Sequence, residues 1–476
     1  MRAVDLANPG HTAPRDGEAG FAERRLCQLT QPIPARYPSL AKNKKQGRVE
    51  RDESRQRVLS DFARPSALAP FRIRNYRFQW PADLLTSWAF EMEMIILGWY
   101  VLVETGSVLL LTVFASLGYV GTLVAPMFGV VGDRIGHRDL LAMMRASYAV
   151  LATVLMTLAL SGQINPMFVF VVAALMGVVR PSDLGVRGAL VATIMPRDQL
   201  IGAISISRTT MDTARIAGAL SGAGLFAALG MGPAYVAIVC LYIIATVLTL
   251  CVVAPATPHA PGETAGEMVR SPLRDLKEGV AYCWTTPRMR AALWIAFLAN
   301  LTAYPLTNGL LPYIARAIYG TNQTGLGYLS ASFAIGSLVG SILLSVFGGI
   351  RVARLMIAST VLWYATLLLF VQMQTVPTAI VCLVIAGFSQ SLAMISIAVI
   401  LMRTSAENFR GRVMGVRMMV IYGLPFGLLA AGSLIDAIGF AATGTLYATA
   451  GLALILVTVL HWRADLWPVH APANAR

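Results

Sequence analysis

Charge is scarce in this chain. Only 13% of its 476 residues are Asp, Glu, Lys or Arg, whereas 56% are hydrophobic; a soluble domain carries about 25% charged residues. So few charged groups cannot cover an apolar interior in water, which excludes an ordinary soluble globule. Cysteine is scarce as well. Cys27, Cys240, Cys251, Cys283 and Cys382 form no CxxC pair, and no histidine cluster stands beside them. Three of them lie inside apolar runs, so they read as small hydrophobes, and neither a disulfide framework nor a metal site is expected. Catalytic signatures are missing: there is no HExxH and no GxxxxGK[ST] phosphate loop. The chain therefore reads as no enzyme, with no cofactor and no ATP hydrolysis of its own.

What the chain has in quantity is apolar text. A helix needs about 20 apolar residues to cross a bilayer. Twelve runs of suitable length follow Trp80, at 80–103, 108–131, 140–160, 166–188, 200–229, 232–254, 289–314, 325–349, 352–373, 377–402, 412–437 and 440–462. This predicts an all-α membrane protein with twelve transmembrane helices. The longest break divides them six and six. It holds a flexible stretch, "APATPHAPGETAGEM", and then "LRDLKEGVAYCWTTPRMR", which reads as an amphipathic helix on the membrane surface. The expected organisation is a tail at 1–77, a six-helix half at 78–254, a linker at 255–288, a second half at 289–463 and a short tail at 464–476.

The net charge of +14 sits in tails and short loops, which suits an anionic membrane face and not nucleic acid. Up to Arg77 the chain holds 16 Lys/Arg and 8 Asp/Glu, without the apolar core of a signal peptide, and reads as a disordered tail. The even-numbered breaks carry Arg134 and Arg138; Arg197; Arg270, Arg274, Lys277, Arg288 and Arg290; Arg351 and Arg354; and Arg403, Arg410 and Arg412. The odd-numbered breaks carry only Arg316. The positive-inside rule then places both termini and the linker in the cytoplasm, with the chain in the inner (plasma) membrane.

The halves resemble each other. Ile201–Gly230 lies over Arg410–Gly439 at a shift of 209, matching Gly202 with Gly411, Arg208 with Arg417, Gly218 with Gly427 and Gly230 with Gly439. Two parallel repeats of six helices form a transporter architecture, with a site between the halves. A monomer suffices for it.

Between the second and third runs stands "FGVVGDRIGHRDLL" (Phe128–Leu141). Gly129, Gly132 and Gly136 permit a tight reversal, and Arg134 and Arg138 hold it on the basic side. Asp133 needs a partner at a membrane edge, such as Arg187 or the N-terminal end of a facing helix. The spacing Gly129-x-x-x-Asp133-Arg134-x-Gly136-x-Arg138 resembles the signature loop of the major facilitator superfamily, and the resemblance covers all twelve runs. It implies the major facilitator fold, with two six-helix pseudo-repeats, and a cytoplasmic latch made by the loop's acid and arginine. "FRIRNYRFQW", "GWYVLVETGS" and "ARIAGALSG" further resemble the enterobactin-exporter-like branch. That implies export of siderophores, macrolides or similar amphipathic compounds by proton antiport.

Charges inside the runs are costly in lipid, so each is a functional candidate. Asp83 lies near the cytoplasmic face, where it can reach water. Glu91 and Glu93 lie near mid-depth and point about 200° apart on a helix, so one can line a cavity while the other meets a neighbouring helix. Such an acid can exchange protons near neutral pH; Glu91, Glu93 and Asp212 are the coupling candidates. Arg180, Asp183 and Arg187, and Arg208, Asp212 and Arg215, form stripes on one helix face each. They are either a network that senses conformation or substrate, or a static brace. The second half offers Asn300, Tyr304, Asn308 and Gln390 as polar points in an apolar cavity, with helix packing as the alternative. The expected partners are a small-molecule substrate, protons and the lipid bilayer. Import of an organic solute, or a non-transporting sensor or assembly role, are the alternatives.

Overall fold

The computed structural model describes residues 69–196, 199–253, 272–346, 352–406 and 409–466, apart from a few side chains, that of Asp133 among them. The basic tail, most of the flexible stretch of the linker and Arg197, Arg270 and Arg351 fall outside this set. Every one of the twelve apolar runs is occupied by helix. α1 covers Arg74–Thr105, α2 Val108–Leu117, α3 Ala125–Ile135, α4 His137–Leu160, α5 Pro166–Ile194, α6 Leu200–Leu229 and α7 Met231–Leu250. After α8 (Pro272–Thr285) come α9 (Pro287–Leu298), α10 (Gln323–Val346), α11 (Val352–Gln372), α12 (Val376–Thr404), α13 (Arg410–Met419), α14 (Gly423–Ile438) and α15 (Phe440–His461). The end of the bundle where α1 begins is called the tail face below.

Eight helical stretches are long and apolar enough to cross a membrane by length and composition. The other four runs fall short for identifiable reasons. Glu91 and Glu93 dilute α1, and Arg208, Asp212 and Arg215 dilute α6. The run of α2 and α3 is broken near Val120–Leu123, and that of α9 passes into π-turns at Ala299–Ala303 and Ile314–Ile318.

Chain reversals follow local chemistry. Gly106, Gly136, Gly230 and Gly439 end helices with φ of 63°, 94°, 82° and 81°, a left-handed region that side chains with a Cβ avoid. The Ser107 hydroxyl accepts from the Leu110 N–H at 3.3 Å and so caps α2. Gly230 and Gly439 close their helices in the same way, donating to Phe226 and Ile435 at 3.0 and 2.9 Å. Those acceptors are themselves 209 residues apart.

Helices approach closely where side chains vanish. A Cβ on Gly336 would strike the Val384 carbonyl, and one on Gly387 the Phe333 carbonyl, so α10 and α12 meet backbone to backbone. Lipid supplies no hydrophobic drive between helices, and close packing of small residues takes its place. Gly218 of α6 presses on Trp88 and Met92 of α1, while Gly427 of α14 presses on Leu301. Met92 and Leu301 again differ by 209, so the repeat extends to the helices that these glycines touch.

Towards the face opposite the tail, α1–α7 meet the later helices at several close contacts. Gly432 rests on Leu109 and Thr112, Gly98 on Pro312, and Gly327 on Ala219 and Ala223. Ser116 Oγ donates to the Pro425 carbonyl at 3.4 Å, and Arg316 Nη1 to the Leu102 carbonyl at 3.3 Å. Gly387→Ala is expected to destabilise the protein by about 1–3 kcal/mol through overpacking. Gly185→Ala, with open space around it, should stabilise by about 0.5–1 kcal/mol through helix propensity. Thermal unfolding of the purified variants in detergent checks both signs.

Candidate functional site

A cavity of about 360 Å³ lies between the two sets of helices. One wall is Phe90, Glu91, Met94 and Ile95 of α1 with Arg215 of α6; the other is Asn300, Tyr304 and Asn308. The second wall owes its shape to the interrupted helix. Pro305 has no N–H to give the Leu301 carbonyl, and the π-turn at Ala299–Ala303 turns Asn300 and Tyr304 onto one side. Tyr304 is held by an edge contact with Trp363 at 5.2 Å between ring centroids, and its hydroxyl accepts from Gln390 Nε2 at 2.5 Å. Gln390 thus reaches the cavity through Tyr304.

Arg215 crosses the cavity. Its guanidinium donates to Asn308 Oδ1 on the far wall, and its Nε stands 4.0 Å from Glu91 Oε2 on the near one. The same 209-residue shift pairs Glu91 with Asn300, so corresponding places carry an acid in one half and an amide in the other. Glu93 is turned away and is 1% exposed. It accepts from the Tyr242 hydroxyl at 3.1 Å and the Tyr235 hydroxyl at 3.5 Å. Asp212 is buried, 3.8 Å from Arg208 Nε, and accepts from Ser341 Oγ across the interface at 3.4 Å. The Arg208 side chain itself is 48% exposed.

A side pocket of about 140 Å³ shares Phe90 and Glu91 with the cavity and runs into the first half. Arg180 enters it, with its guanidinium over the Phe90 ring and Nη1 directed to Met94 Sδ at 3.4 Å. Beyond it is an ionic cluster joining four helices. Asp83 Oδ1 accepts from Arg145 Nη2 and from Gln79 Nε2 at 2.7 Å, and lies 3.3 Å from Arg187 Nε. Arg187 also binds Asp183 Oδ2 at 2.6 Å and Ser87 Oγ at 3.1 Å. Arg145 Nη1 also donates to Thr249 Oγ1.

One expectation changes here: Asp83 does not reach water; it is 3% exposed and meets two guanidinium groups. Arg187, one of the partners offered for Asp133, pairs with Asp83 and Asp183. Arg145, 0% exposed, was missed by the sequence analysis. Its signal was there: an arginine nine residues into a long apolar helix. The Asp133 side chain lies outside the described residues. Around it, Gly132 packs on His137 and Leu140, Gly136 takes its φ of 94°, Gly129 has open space, Arg134 is exposed and Arg138 binds Asp139 at 2.6 Å.

A bundle of apolar helices with a partly polar cavity between two related halves is the architecture of a membrane transporter. The sequence pattern of the Major Facilitator Superfamily matches residues 80–422 and also 293–474, and the chain belongs to that family. The chain is 28% identical over 194 residues to the multidrug efflux pump Tap of Mycolicibacterium fortuitum, covering 38% of this chain and 46% of that protein. It thus spans about half the length of that relative. It is 22% identical over 280 residues to macrolide efflux protein A of Streptococcus pyogenes, covering 59% of this chain and 67% of the other. Among solved structures, the nucleoside transporter NupG shares 15% identity at a TM-score of 0.63, over 82% of this chain and all of that one (100%). The E. coli fucose:proton symporter FucP shares 16% at 0.55, over 83% and 99%. At these identities the structures show the fold alone.

Removing one member of a buried ion cluster leaves an uncompensated charge, at a cost of about 3–5 kcal/mol. Arg145→Leu is therefore expected to lower the thermal midpoint sharply. Asp83→Leu combined with Arg145→Leu should cost less than the two single changes added together. A double-mutant cycle on the purified protein reads the difference.

Proposed function

We propose that this chain exports a small amphipathic compound, siderophore- or drug-like, from the tail side by alternating access coupled to proton antiport. In this reading twelve helices span the inner membrane as two six-helix halves, with both termini in the cytoplasm. The observation that carries it is the cavity, whose apolar and aromatic walls are crossed by a single Glu91–Arg215–Asn308 chain linking the halves. A compound or a proton that engages Glu91 or Arg215 changes what holds the halves together. The efflux activities in the names of the two curated relatives support the export direction, and the sequence likeness to the enterobactin-exporter-like branch supports the compound class. The close contacts at Gly98, Gly327 and Gly432 on the far face support entry from the tail side. Import of a polar solute is the second reading, favoured by the amides Asn300 and Asn308 on the cavity wall.

Within this account Glu91 is the coupling acid that meets the cavity, and Glu93 holds α1 to α7 through Tyr235 and Tyr242. Asp212 and Ser341 form a contact between halves that must break and re-form. The 129–138 turn serves as the latch through Asp133.

In proteoliposomes with an imposed proton gradient, the protein is expected to move a macrolide or a catecholate siderophore with release of protons. Glu91→Gln should reduce the gradient-driven flux at least about tenfold, a loss of about 1.4 kcal/mol of coupling, while leaving the thermal midpoint unchanged. Flux that keeps its pH dependence in Glu91→Gln would remove Glu91 from the role. Asp133→Asn should weaken the latch and raise the labelling rate of a tail-face cysteine; an unchanged rate would contradict the latch.

A further inference from the structure

Away from the cavity, the tail face carries an apolar groove of about 290 Å³ between α8, α9 and α13. Its walls are fixed. Gly279 of α8 lies against Arg412 and Val416 of α13, and Glu278 pairs with Arg412 at 3.3 Å. The Tyr282 ring stacks on Phe409 at 4.3 Å, and its hydroxyl accepts from the Ala406 N–H at 3.1 Å. The groove is therefore built before anything enters it.

Its lining holds one charge. Trp284, Trp294, Phe297 and Val416 are uncharged, and burial pushes the Cys283 thiol up to about 11, so it stays protonated and neutral at pH 7. The charge is Arg290. The face of Trp462, 5.8 Å away, is the contact its guanidinium makes. Its Nε is buried without a hydrogen-bond partner, and no carboxylate among the described residues pairs with it. A cation left uncompensated beside an apolar slot calls for an anion on an apolar stem. Position on the membrane says which kind. Trp284 and Trp294 are 57% and 40% exposed at the end of the bundle where α9 enters, the level at which indole rings settle between headgroups and acyl chains.

We propose that this groove binds an anionic phospholipid, with its phosphate at Arg290 and one acyl chain along Trp294, Phe297 and Val416. The lipid would complete the joint between the linker helix and the start of α13, and so tie the second half to the charge of the surrounding leaflet.

The test uses the full chain purified in detergent and titrated with phosphatidylglycerol or with phosphatidylcholine of the same acyl chains, with bound lipid counted by native mass spectrometry. One arginine near a membrane surface contributes about 1 kcal/mol towards an anionic lipid, or about fivefold in affinity. The tightest-bound phosphatidylglycerol is expected to show about that preference over phosphatidylcholine. Arg290→Gln should abolish it and Arg290→Lys keep it. Arg288, about 200° around the helix from Arg290, is the control, and Arg288→Gln should keep the preference. Unchanged elution and thermal midpoint in Arg290→Gln show that it folds. A preference that survives Arg290→Gln, or none in the wild type, overturns the assignment. Equal displacement by inorganic phosphate alone also overturns it, because the site would then hold a free anion and not a lipid.

Discussion

A charge within the hydrocarbon layer needs a partner supplied by protein, and the interior of this transporter is organised by that requirement. Asp83, Arg145, Arg187 and Asp183 pair in a cluster drawn from three helices, and Thr249 brings in a fourth through its hydrogen bond from Arg145. The partnering fixes α1, α4, α5 and α7 as a unit. Glu93 adds a second tie between α1 and α7 through Tyr242. What is left over faces open space: Glu91 and Arg215 line the cavity and Arg180 the side pocket, all partly exposed. Buried, ion-paired charges hold the first half together, and partly exposed ones remain where a ligand can reach them.

The second half solves the same fold with no buried charge among the described residues. Its helices meet through glycines such as Gly336, Gly387 and Gly427, and through hydrogen bonds such as Tyr447 to the Gly427 carbonyl at 2.7 Å. Repeat-related places differ accordingly: Glu91 corresponds to Asn300, and Asp212 to Ile421. The backbone is a repeat and the chemistry is not. The first half carries the charged groups of the cavity, and the second supplies a neutral, kinked wall opposite them.

Much of the fold was legible in the sequence. Apolar runs marked every long helix but the amphipathic α8, because bilayer thickness imposes a length that composition alone reveals. The repeat showed through Gly230 and Gly439, where a left-handed turn demands the same residue twice. That Glu91 and Glu93 point to different sides of α1 followed from helical spacing. Other features were not legible. The environment of Asp83 depends on Arg145 and Arg187, 62 and 104 positions away, and no local pattern pairs residues on different helices. The kinks after Leu298 come from Pro305, Asn308 and Gly309 acting with a tertiary contact at Gly427, which periodicity does not report. Cavity lining depends on helix rotation, so Tyr304 could be named as a candidate while the bond from Gln390 that orients it could not.

The account rests on two halves that move against each other about the cavity. Distances between spin labels on the two halves test this most directly, with one pair near the tail face, at Met143 and Ala358, and another near the opposite face, at Leu160 and Leu369. All four positions are exposed on the outside of the bundle. In lipid, titrating from acid to alkaline pH or adding a transported compound should change the two distances in opposite senses. Glu91→Gln should hold both at one value across the titration. Two distances that stay constant, or rise and fall together, under conditions in which the protein transports would contradict alternating access between these halves.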